Sequence, residues 1–81
     1  MAEIKIEYRP ITEIGVGDIL MSIQHRIEIE NIIINVQEKS VISFTVYDRE
    51  DMKGVVEKRL YEDEFYEYLN EEHFLKYVEI I

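Results

Sequence analysis

The chain has no cysteine and no tryptophan, one proline, three glycines, and half as many basic as acidic side chains across its 81 residues. Without cysteine there is no disulfide and no thiolate ligand, so a domain this small must stand on its apolar core alone; the same absence agrees with a cytosolic setting. No apolar run reaches the roughly 20 residues needed to span a bilayer. Met1 to Pro10 alternates charged and apolar side chains, unlike a secretory leader, so a cytoplasmic location is expected. There is no internal repeat, linker or low-complexity tract, and residues 1–81 read as one small acidic domain. A chain of this size buries roughly 60–65% of its extended surface, and its 47% apolar content suffices for one small core.

What is abundant is negative charge. Nine Lys and Arg against 18 Asp and Glu leave a net charge of −9. Such a surface repels nucleic-acid phosphates and anionic lipid, because affinity for nucleic acid comes largely from Lys and Arg neutralising phosphates. Direct nucleic-acid and membrane binding are therefore disfavoured, and a protein partner with a basic surface is favoured.

The apolar residues recur mostly at every second position, the period of a strand with one buried face. Ile4, Ile6 and Tyr8 alternate with Glu3, Lys5, Glu7 and Arg9, predicting a half-buried strand ended by Pro10, which cannot donate to a ladder. Gly15-Val16-Gly17-Asp18 is a turn signal. From it the odd positions Ile19, Met21, Ile23, Ile27 and Ile29 are apolar, interrupted by a turn at Gln24-His25-Arg26. Near Glu30-Asn31 the apolar phase moves to the even positions Ile32, Ile34 and Val36, and a one-residue slip of this kind calls for a bulge or a bend. Gln37 to Ser40 connects to the clearest strand, Val41 to Tyr47, with Ile42, Phe44 and Val46 inward. Asp48 to Gly54 is a charged loop, and Val55 to Tyr61 a further strand. Glu62-Asp63-Glu64 then places acid at a helix start, where it complements the macrodipole; Phe65, Tyr68 and Leu69 give that helix an apolar face, with Asn70 as its C-cap. Phe74 to Ile81 is a closing strand, or a helical turn followed by one.

The expected fold is thus mainly β, an antiparallel barrel or half-barrel of five to six strands with a short helix before the last strand. In this arrangement Ile14-Gly15-Val16-Gly17-Asp18-Ile19-Leu20 forms a turn and first strand, Phe44-Thr45-Val46-Tyr47-Asp48 a middle strand, and Tyr61-Glu62-Asp63-Glu64-Phe65 the lead into the helix. On these residues the chain, over positions 14 to 70, resembles the small SH3-like barrels common among bacteriophage and mobile-element proteins. The sequence has no tryptophan and no aromatic-rich loop of the kind with which peptide-binding SH3 domains hold proline helices, so that activity does not carry over. The basic surface of nucleic-acid-binding SH3-like domains is missing too.

No catalytic constellation stands out. His25 and His73 lack a partner at ligand spacing, Ser22, Ser40 and Ser43 sit in no nucleophile motif, and Gly15 and Gly17 lack the rest of a dinucleotide fingerprint. No enzymatic activity, cofactor or metal is expected; Asp48, Glu50 and Asp51 do not follow the ligand pattern of a calcium loop. The candidate site is the acidic series Glu57, Glu62, Asp63, Glu64, Glu67, Glu71 and Glu72, extended by Asp48, Glu50 and Asp51, with Tyr66 offering contact area beside it. Like charges at i, i+3 and i+4 repel, so a helix that tolerates them either presents a solvated face or offers a phosphate-like row to a basic groove. The leading expectation is a non-enzymatic acidic protein-binding module, an inhibitor of phage type that occupies the nucleic-acid-binding cleft of a host or defence protein. Two others stand beside it. One is an anionic-ligand or nucleotide binder using Arg26, Arg49, Lys53, Lys58 and Arg59; the other is an assembly protein that self-associates through the strand Glu3 to Arg9.

Overall fold

The computed structural model describes residues 3–54 and 56–80. It contains strands β1 (Lys5–Arg9), β2 (Ile19–Met21), β3 (His25–Ile33), β4 (Val41–Asp48) and β5 (Val56–Tyr61), helix α1 (Glu62–Glu71), and strand β6 (Leu75–Ile80). Val55 and Ile81, expected to open one strand and close another, lie outside the described residues. The six strands form one sheet in the order β1-β6-β2-β3-β4-β5, antiparallel throughout. The mainly β class, the strand number and the helix before the last strand are as expected; the sheet is open, with β1 and β5 as its edges.

One face of the sheet is the core. Leu20, Ile27, Ile29, Ile42, Phe44 and Val46 project from β2, β3 and β4 and are closed over by Phe65 and Leu69 of α1 and by Phe74, all buried. Phe44 and Phe65 meet with ring centroids 4.7 Å apart, and Tyr68 lies over Phe44 at 6.1 Å. The register slips between Ile29 and Asn31, so Glu30 is the extra residue of a bulge. That slip lets Ile27, Ile29 and Ile32 all point to the core side despite the change of phase. On the opposite face Thr45 is buried as well, and its hydroxyl donates to the Glu30 carboxylate.

Three expectations are corrected. In β2 the inward residue is Leu20, while Ile19 and Met21 are half-buried on the opposite face, because the turn lies at Ser22 to Gln24 and β3 begins at His25. Ile34 and Val36 lie beyond the end of β3 and are exposed. Strand β1 is not half-buried: Ile4, Ile6 and Tyr8 keep 60%, 51% and 44% of their surface exposed. As an edge, β1 pairs with β6 alone, outside the area that α1 covers. The molecule is accordingly drawn out to 48 × 26 × 20 Å. Its radius of gyration of 13.4 Å exceeds the roughly 12 Å of a compact chain of this length.

Helix α1 runs one residue past the expected cap. It ends in a Schellman motif, with the His73 N–H donating to the Asn70 carbonyl (3.3 Å), the Phe74 N–H to the Leu69 carbonyl (2.9 Å), and Glu72 as C-cap. His73 occupies the left-handed position at φ 57° that glycine usually takes. Two substitutions check this packing by denaturant unfolding. Phe65→Ala should cost about 3–5 kcal/mol by opening the core. His73→Gly should add about 0.5–1 kcal/mol by relieving the left-handed backbone, partly offset by the freer unfolded chain.

Candidate protein-interaction face

The packing of α1 decides which carboxylates face water. Phe65 and Leu69 point inward, so at 100° per residue the opposite side carries Asp63, Glu64, Glu67 and Glu71. Glu64, Glu67 and Glu71 follow one another at i+3 and i+4, and all are exposed. Glu62, at the helix start, is exposed but lies on the side of the buried pair. Tyr66 and Tyr68 are half-buried on its two sides, the first packed against the core, the second between Phe44 and Phe74, with the Lys58 ammonium 5.5 Å from its ring centre.

Two members of the series have partners from elsewhere in the chain. Lys39 donates to Asp63 at 2.6 Å, holding that carboxyl below its usual range while its own ammonium is held above. Both groups are exposed, so the pair contributes little. Glu72 turns inward, accepting from Nδ1 of the half-buried His25 at 2.8 Å. Because a carboxylate is an acceptor only, this contact fixes the proton on Nδ1. Glu62, Glu64, Glu67 and Glu71 are in no ion pair among the described residues.

The remaining acidic candidates are distributed differently. Asp48 stands opposite His25 in the sheet and so lies at the end of the molecule where α1 finishes. Its Oδ1 accepts from Glu50 N–H and that of Asp51 from Lys53 N–H, so both carboxylates brace their own loop. Glu50 is exposed in that loop. Glu57 is separated from the rest. Its register partner is Thr45, which places it on the sheet face away from the helix.

The chain matches no family model, no curated protein and no solved structure. Its own geometry is what bears on function.

The five cations of the anionic-ligand reading do not converge. Lys58 and Arg59 are on opposite faces of β5, Arg26 pairs with Glu28 at 3.0 Å, and Arg49 donates to the Ser22 carbonyl while its guanidinium lies over the Tyr8 ring. Beside the acidic ridge, by contrast, an open cleft of about 500 Å³ is lined by Ile14, Ile32, Ile34, Ile42 and Tyr66. Glu13 and Glu62 also line it. Sequence reading missed this cleft because its walls come from four separate segments. No group of three or more His, Cys, Asp or Glu side chains is placed to hold a metal among the described residues. No helix there is long and apolar enough to cross a membrane.

Burial holds the Tyr66 and Tyr68 phenols above the ordinary tyrosine value, and Glu62 and Glu13 beside the first, with Glu72 beside the second, push the same way. The corresponding stabilisation is whole below the unfolded value of about 10 and is lost as pH rises from there through the raised values. A tyrosinate absorbance titration should therefore show phenols ionising later than free tyrosine, and Tyr66→Phe or Tyr68→Phe should each remove one late step.

Proposed function

We propose that the protein is a non-enzymatic acidic binding module that lays helix α1 against a basic groove of a partner protein, as a phage-type inhibitor of a nucleic-acid-binding host or defence protein would. The observation that carries this reading is the outward side of α1, where the exposed Asp63, Glu64, Glu67 and Glu71 follow one another and residues 62–72 include no Lys or Arg. At 1.5 Å per residue that is one charge in about 3 Å of axis. Counting only Glu64, Glu67 and Glu71, the three of these without a cationic partner among the described residues, there is one in about 4 Å. One strand of duplex DNA carries a phosphate every ~3.4 Å. The ridge thus approaches the linear charge density to which a nucleic-acid groove is tuned, and the neighbouring apolar cleft with Tyr66 supplies area that water-exposed charge alone does not. The SH3-like resemblance over residues 14 to 70 supports the phage or mobile-element setting.

Stability alone gives no reason for this arrangement. Repulsion at i+3 and i+4 costs a few tenths of a kcal/mol per pair, so replacing Glu64, Glu67 and Glu71 by Gln should leave the fold as stable or slightly more so. The same triple variant tests function. Immobilised wild-type protein should capture basic proteins from a bacterial lysate at about 50 mM salt, less at about 200 mM, and release them to duplex DNA; the variant should capture far less. Recovery of no basic partner at either salt, or equal capture by the variant, would defeat the reading.

A further inference from the structure

The outer edge of β1 has no strand partner among the described residues, and its side chains sort cleanly by sign and by face. Within β1, Ile6 and Tyr8 share one face while Lys5, Glu7 and Arg9 share the other, and the sequence alternation continues through Glu3 and Ile4, with Ile4, Ile6 and Tyr8 all largely exposed. The strand is also held in shape. Five consecutive residues pair with β6, the Tyr8 ring meets Tyr77 edge-on at 6.1 Å, and the Arg49 guanidinium lies 5.9 Å over it.

We propose that β1 is a self-recognition edge, pairing antiparallel with β1 of a second copy about a two-fold axis at Ile6. In that register Ile6 faces Ile6, Ile4 faces Tyr8, Lys5 faces Glu7 and Glu3 faces Arg9, so every charged residue meets its opposite and every apolar one an apolar one. The neighbouring registers that keep the apolar side chains together fail. Centring on Lys5 sets Lys5 against Lys5 and Glu3 against Glu7, and centring on Glu7 sets Glu7 against Glu7 and Lys5 against Arg9. Opposite charges directly across an antiparallel pair stabilise it and like charges oppose it, so the sequence selects one register out of three. The other edge, β5, lacks this property: the register that matches Glu57 with Arg59 places Lys58 against itself. The occupant of the β1 edge is therefore a second copy of this chain, and the product is one continuous sheet with six strands from each.

Sedimentation equilibrium of the full chain up to about 1 mM tests this. Wild-type protein should reach twice the chain mass. Lys5→Glu sets Glu against Glu7, and Glu7→Lys sets Lys against Lys5, twice per dimer in each case, so each variant should self-associate about tenfold more weakly. An equimolar mixture of the two variants restores opposite charges at both 5–7 contacts and should dimerise as tightly as wild type. Both positions are exposed and outside the core, so unchanged thermal unfolding confirms that the variants fold. A strictly monomeric wild type overturns the proposal, as do variants that associate unchanged or a mixture that regains nothing.

Discussion

The contact between Phe65 and Phe44 is the constraint on which the molecule turns. A six-stranded sheet has two faces, and this chain has one short helix with which to cover them. Phe65 and Leu69 pin that helix over β4 and β5, sealing Leu20, Ile27, Ile29, Ile42 and Phe44 from water. Strand β1, outside that footprint, stays exposed along its whole length. The rotation that buries Phe65 also fixes which residues of α1 look outward, so the acidic ridge and the core are set by the same packing.

Much of this was legible in the residues. The alternation of Val41 to Tyr47 marks a strand with Ile42, Phe44 and Val46 inward, and the phase change near Glu30 marks the bulge, because a slip of one residue inverts every side chain after it. The helix and its buried pair follow from the spacing of Phe65 and Leu69. What failed to show is non-local. Alternation says that a strand has two unlike faces, not that either is covered, so Ile4, Ile6 and Tyr8 looked half-buried although they stay largely exposed, with the Arg49 guanidinium over the Tyr8 ring. Ile19 and Met21 shared a parity with Ile27 and Ile29, but the turn at Ser22 to Gln24 broke the phase and sent Leu20 inward instead. On the acidic candidates, local spacing placed Glu64, Glu67 and Glu71 together correctly. It gave no sign that Lys39 reaches Asp63, that His25 holds Glu72 across 47 positions, or that Glu57 faces away.

The surface solves its charge problem in two distinct ways. Strand β1 alternates in sign along one face, with Glu7 and Arg9 already paired at 2.8 Å, so its field cancels within a few residues and matters only on contact. Helix α1 carries one sign, so its field adds and reaches outward over the roughly 8–10 Å that salt permits. The first pattern gives register, the second gives attraction at a distance.

These two patterns also exclude each other's partners. A ridge of one sign repels its own copy and can only meet a surface unlike itself, whereas a strand whose charges reverse about Ile6 is complementary to itself and to little else. The two proposed contacts would therefore draw on separate parts of the molecule: β1 lies at one edge of the sheet, while α1 packs near the other, against β4 and β5. Pairing through β1 would leave both ridges free, and two ridges on one sheet would meet a repeated or two-fold basic surface with an effective concentration that a single ridge lacks. On the proposed pairing, the uncovered edge that one short helix leaves behind would be the means by which a weak, salt-screened contact gains strength.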